Sequence, residues 1–169
     1  MQMLLWDYEM RELRPLVDDL PPRQCFALSL RAIRHVLTYD ETVMAEIDLA
    51  IADFVRRSLD LADEAAAAGR ATIGSPAGYR TEVRALLADY SDDNPAYPED
   101  GADSLVMALL ELYGETDAAP ANTYEVLSFT YQVVLIRLRI DVVTPEIERE
   151  HATLVQLIAE QKDLVRAAA

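Results

Sequence analysis

Glu148 and His151 stand three residues apart, the Glu-x-x-His spacing that sets a carboxylate and an imidazole on one helix face in di-iron carboxylate bundles. Such a centre needs a second pair and further inward glutamates. The only other histidine is His35, and three residues before it stands Ala32, so half of the ligand set is missing. His151 therefore reads as a helix-surface or core-edge residue. Cys25 and His35 invite a thiolate–imidazole reading, but ten residues on one helix separate them by about 15 Å along its axis, too far to share a proton. A thiol near a helix start can have a lowered pKa, yet a lone cysteine is more often a small buried hydrophobe. One cysteine builds neither an intramolecular disulfide nor a thiolate zinc site. Ser75 in Gly74-Ser75-Pro76 lacks the Gly-x-Ser-x-Gly frame, and there is no Gly-rich phosphate loop or Cys/His zinc pattern. No catalytic residue, metal or cofactor is assigned.

The acids carry the stronger signal. Between Arg84 and Arg137 the chain has no Lys or Arg but ten carboxylates: Asp89, Asp92, Asp93, Glu99, Asp100, Asp103, Glu111, Glu115, Asp117 and Glu125. The remaining residues hold 20 acids against 15 bases, so this one segment carries two thirds of the formal charge of -15. One reading is a solvated surface that keeps the chain soluble. The sharper reading is an acidic docking face for a basic protein partner, whose field would speed encounter and make it salt-dependent. Tyr90 and Tyr97 would serve that face as aromatic anchors. It is assigned Asp89, Tyr90, Asp92, Asp93, Tyr97, Glu99, Asp100 and Asp103, and charge reversal at Asp92, Asp93, Glu99 and Asp100 is expected to slow association at low salt. As calcium ligands these acids lack alternate spacing around a glycine, and Pro95 and Pro98 spoil the register. Weak adventitious divalent binding is expected there, not a dedicated site.

Helical periodicity must position all of these residues. Over residues 42–68, Val43, Ile47, Ile51, Phe54, Ser58, Leu61 and Ala65 recur at spacings of three and four, predicting one long helix capped by Thr42 and ended by Gly69. Before it, Pro21 and Pro22 suit a first turn, and Phe26, Leu30, Ile33 and Leu37 form a core stripe. Residues 3–20 also read as helix, broken or bent at Pro15. Shorter helices are expected over residues 79–90 and after the turn-rich loop 91–101. A central buried helix is predicted over 124–140, capped by Asn122 or Thr123, in preference to the strand that its alternating end would permit. Thr144-Pro145-Glu146 then starts a last helix running nearly to the end of the chain. Arg23, Arg31 and Arg34 on the second helix are expected to pair with acids of the long helix.

The sum is an all-α, single-domain bundle of about six or seven helices over residues 1–169, with short connectors favouring antiparallel neighbours. A chain 51% hydrophobic and 27% charged is neither disordered nor fibrous. Its negative charge argues against nucleic acid as a partner. Apolar stretches such as residues 133–136 fall far short of the roughly 20 residues of a membrane span. The N-terminal apolar cluster Met3, Leu4, Leu5 and Trp6 meets Asp7 and Glu9 at once, unlike a signal peptide. A cytoplasmic location is expected.

The segment Arg23-Gln24-Cys25-Phe26-Ala27-Leu28-Ser29-Leu30-Arg31-Ala32, followed by a long amphipathic helix, resembles the small helical immunity proteins of bacterial polymorphic-toxin systems. The likeness covers roughly the first third of the chain and carries over no individual toxin contact. It implies a non-enzymatic inhibitor that binds and blocks a cognate toxin, many of which are basic nucleases. Two alternatives stand beside it: a small carboxylate- and His-dependent helical enzyme using Glu148 and His151, and a self-assembling helical scaffold or homodimer.

Overall fold

The computed structural model describes residues 3–169; Met1 and Gln2, which the single-domain reading includes, lie outside the described residues. Among the described residues all regular structure is helical. The helices are α1 (Leu5–Met10), α2 (Arg14–Asp18), α3 (Pro22–Tyr39), α4 (Val43–Glu46), α5 (Leu49–Ala67), α6 (Tyr79–Leu86), α7 (Ala102–Leu110), α8 (Pro120–Arg137), α9 (Pro145–Glu150) and α10 (Ala152–Ala168). The expected helical bundle is present. Its count rises to ten because three of the expected helices are each divided in two.

Each division has a local cause. The opening segment bends through a 3-10 turn at Arg11–Leu13, which lets Pro15 enter the first turn of α2, where its missing N–H costs nothing. The helix expected over 42–68 breaks at Ile47, which is extended, and Asp48, which is not helical. Asp48, not Thr42, caps the long helix, its carboxylate accepting from the Ala50 N–H at 2.8 Å. Thr42 instead donates to Asp40 and receives Arg137. The last helix breaks at His151, between α9 and α10. That break lets Glu148 turn inward on α9 while Leu154, Leu157, Ile158, Gln161 and Val165 face the core from α10.

α8 is the central helix and packs against α3, α7, α10 and α2. Apolar residues on several faces explain this: Val126, Leu127, Tyr131, Val133, Val134 and Leu135 are all buried. It starts at Pro120, earlier than expected, because Thr123 is drawn into the interior, where its hydroxyl donates to the Cys25 carbonyl. Asn122 does act at the start, accepting from the Ala119 N–H at 3.0 Å. The strand-like end of the segment leaves the helix after Arg137, and Arg139 adopts a left-handed φ of 51°. Gly69 ends α5 as expected, with the Arg70 N–H returning to the Ala65 carbonyl. Among the described residues no helix is long and apolar enough to cross a membrane.

Candidate functional site

Five acids of the segment, Asp89, Asp92, Asp93, Glu99 and Asp100, lie on a loop between α6 and α7 that is pinned at its C-terminal end. Gly101 has φ of +76°, and a Cβ built there would stand 2.8 Å from the Val133 carbonyl oxygen of α8. Only glycine permits that approach. Beside it, the Arg137 side chain is 10% exposed and donates to the Asp100 carbonyl oxygen at 3.3 Å. The same guanidinium reaches Asp40 at 2.8 Å, the Thr42 hydroxyl at 2.6 Å and Glu46 at 2.9 Å. One arginine thus ties the loop to the end of α8 and to the α3–α4 junction. Burial by itself would raise the Asp40 carboxyl, but the hydrogen bonds from Thr42 and Arg137 outweigh it and hold that group below its ordinary value.

The eight residues assigned to the docking face separate into two sets. Tyr90, Tyr97, Asp100 and Asp103 form an inward clasp. The Tyr90 hydroxyl donates to both Asp100 oxygens at 2.9 Å, the Tyr97 hydroxyl donates to Asp103, and the two rings meet edge to face at 5.6 Å. Asp100 also accepts the Ala102 N–H at 3.0 Å, at the start of α7. Burial, followed by the hydrogen-bonded carboxylate, pushes both phenols far above their ordinary value, so they remain donors. Both hydroxyls are therefore committed to carboxylates, while both rings stay partly exposed. The enclosed Oδ1 of Asp103 has no hydrogen-bond partner among the described residues.

Asp89, Asp92, Asp93 and Glu99 form the outward set, and all four are exposed. Among the described residues no cation pairs with Asp89, Asp92 or Asp93, while Arg139 approaches Glu99 only to 4.0 Å. The clasp fixes the backbone that carries these charges. The acids are therefore presented to solvent on a folded loop.

Beside Glu99 runs an open groove of about 640 Å³. One wall is Tyr97 and Glu99; the other is apolar, with Leu135 and Ile136 of α8 followed by Ile140 and Val143. Arg139 and Asp141 complete its rim. A smaller cleft of about 220 Å³ shares Glu99 and Arg139 with it and continues toward Glu46. A cleft of about 710 Å³ on another side is faced by Arg23 and Arg70, charges that would repel a basic partner. The sequence carries no signal for this apolar wall, because the spacing over residues 135–142 fits helix or strand and the turn at Arg139 leaves no periodic mark. Arg137 is legible only as the base that ends the cation-free interval.

The other candidates are absorbed by the fold. Glu148 is 0% exposed and accepts the Leu5 N–H at 3.0 Å and the Tyr131 hydroxyl at 2.7 Å. Its carboxylate is thus committed to Leu5 and Tyr131, not to His151. Among the described residues no group of three or more His, Cys, Asp or Glu side chains is placed to hold a metal ion. Cys25 is buried, its thiol donating to the Leu20 carbonyl at 3.4 Å, and burial raises its pKa despite the Thr123 hydroxyl. His35 lies instead against Glu160 of α10 at 2.7 Å. Of the three arginines on α3, Arg34 pairs with Asp63 of the long helix, whereas Arg23 lies over Gly69 and Arg31 meets no acid among the described residues. No protein-family model, no curated protein and no solved structure matches this chain.

Proposed function

We propose that the chain is a non-enzymatic helical binding protein of the immunity type, which docks its acidic loop on a basic protein, a toxin, and blocks it by occlusion. The observation that carries this reading is the outward set of Asp89, Asp92, Asp93 and Glu99 on a loop braced by the Tyr90–Asp100 and Tyr97–Asp103 pairs. Carboxylates on an already ordered loop lose less conformational freedom on binding than those of a floppy acidic tail. Their field accelerates encounter with a cationic surface, and salt screens it within roughly 8–10 Å. The resemblance of residues 23–32 to immunity proteins supplies the inhibitory role, and the acidic loop supplies the chemistry of the partner.

The test is affinity capture from the source cells with two baits: wild type and a variant carrying Asp89→Lys, Asp92→Lys and Asp93→Lys. Asp100 is left intact, because reversal there would break the clasp. The expected result is one stoichiometric basic protein held by wild type at low salt, released at high salt and lost from the variant. Activity of that protein should fall when wild type is added back. Equal retention by both baits would contradict the proposal.

A further inference from the structure

We propose that the groove between the Tyr97–Glu99 wall and the end of α8 receives a short, basic, amphipathic segment of the partner protein. This rests on the reading under Proposed function and names where the partner enters. Its apolar side chains would lie on Ile136, Ile140 and Val143, and one of its Lys or Arg residues would take the place of Arg139 at Glu99.

Three observations converge on this occupant. The groove joins an apolar wall to an acidic one, so an apolar ligand alone would leave Glu99 unpaired, and a purely ionic one would leave Ile136 and Ile140 wet. Asp92, exposed and without a cation partner among the described residues, lies on the same loop as Tyr97. The resident cation is poorly held. Arg139 and Glu99 are 4.0 Å apart with side chains 73% and 62% exposed, a geometry that a better-placed guanidinium or ammonium can displace. Arg139 therefore acts as a tethered competitor for the partner's cation.

The probes are a labelled Lys/Leu peptide with leucines at helical spacing and a Lys/Ser counterpart of equal charge, read by fluorescence anisotropy. Wild type should prefer the Lys/Leu peptide by about tenfold, the effect of burying one leucine. Ile140→Asp should erase that preference although it adds a negative charge. Arg139→Asn suits the left-handed backbone there, removes the competitor, and should tighten Lys/Leu binding roughly two- to fivefold. It keeps the test decisive if Ile140→Asp fails to fold. The groove is rejected, and the acidic face kept, if both peptides bind equally or the preference survives Ile140→Asp while Asp89→Lys/Asp92→Lys/Asp93→Lys weakens both. Unchanged or weaker binding by Arg139→Asn also overturns the inference. A groove filled by a second copy, seen as a dimer in light scattering that Ile140→Asp converts to monomer, overturns it as well. Peptide binding indifferent to the Asp89, Asp92 and Asp93 reversal would instead reject the wider reading.

Discussion

Glu148 stitches distant parts of the chain together. Its carboxylate accepts the Leu5 N–H from 143 residues away and the Tyr131 hydroxyl from the middle of α8. Close by, Gln161 accepts the Trp6 indole N–H at 2.7 Å and donates to the Leu127 carbonyl and the Thr130 hydroxyl. Removing the carboxylate would leave buried donors unpaired, so Glu148→Ala should destabilise the fold by about 2–4 kcal/mol in urea denaturation. Tyr131→Phe, which frees only one acceptor, should cost about 1–2 kcal/mol. The tyrosines give a second residue-scale prediction. Burial and bonded carboxylates raise the phenols of Tyr90, Tyr97 and Tyr131. A group protonated more readily in the folded state contributes stability below its unfolded value near 10 and loses it as pH rises beyond that. Ultraviolet titration should therefore show all three ionising above the ordinary tyrosine range, and the fully buried Tyr131 only together with loss of helical circular dichroism. The Glu-x-x-His spacing was visible in the sequence but its use was not, because its partners lie at separations no local pattern reports.

At the scale of elements, Gly101 and Arg137 govern how the loop is held. Gly101→Ala would place a methyl group against the Val133 carbonyl in a left-handed backbone, and should cost about 1–3 kcal/mol. It should also speed amide exchange over residues 91–101 more than in α3, a difference that hydrogen-exchange mass spectrometry resolves. Asp40 tests the other end of the Arg137 tie. Its carboxyl lies below its ordinary value of 3.8, so its contribution is present above that pH and is lost as pH falls through the lower folded value. The stability difference between wild type and Asp40→Asn should shrink below about pH 4, read by thermal melts across pH. Most helices were legible from apolar residues at spacings of three and four, and Pro22, Gly69 and Thr144 marked their ends correctly. The breaks at Ile47–Asp48 and His151 were not legible, since the apolar spacing runs through both. The first is set by the local Asp48 cap, which the apolar spacing masks, and the second goes with the inward turn of Glu148, a tertiary choice.

Over the whole molecule, the chain divides its charge unevenly and then spends only part of it on structure. Arginines are matched between helices, as in Arg34–Asp63 and Arg57–Glu82, and along one helix, as in Arg57–Asp53. The loop between α6 and α7 keeps Asp89, Asp92 and Asp93 unpaired among the described residues. The cation-free interval in the sequence located this surface, because charge sums need no geometry. The inward turn of Tyr90, Tyr97, Asp100 and Asp103 required the folded loop to be seen. The most direct test is the association rate of the captured partner, measured by stopped flow across ionic strength for wild type and for Asp89→Lys/Asp92→Lys/Asp93→Lys. A wild-type rate that falls steeply with salt, and a variant slower by roughly tenfold or more at low salt and flat across the series, is the predicted result. Equal rates with equal salt dependence would contradict the acidic loop as the docking face.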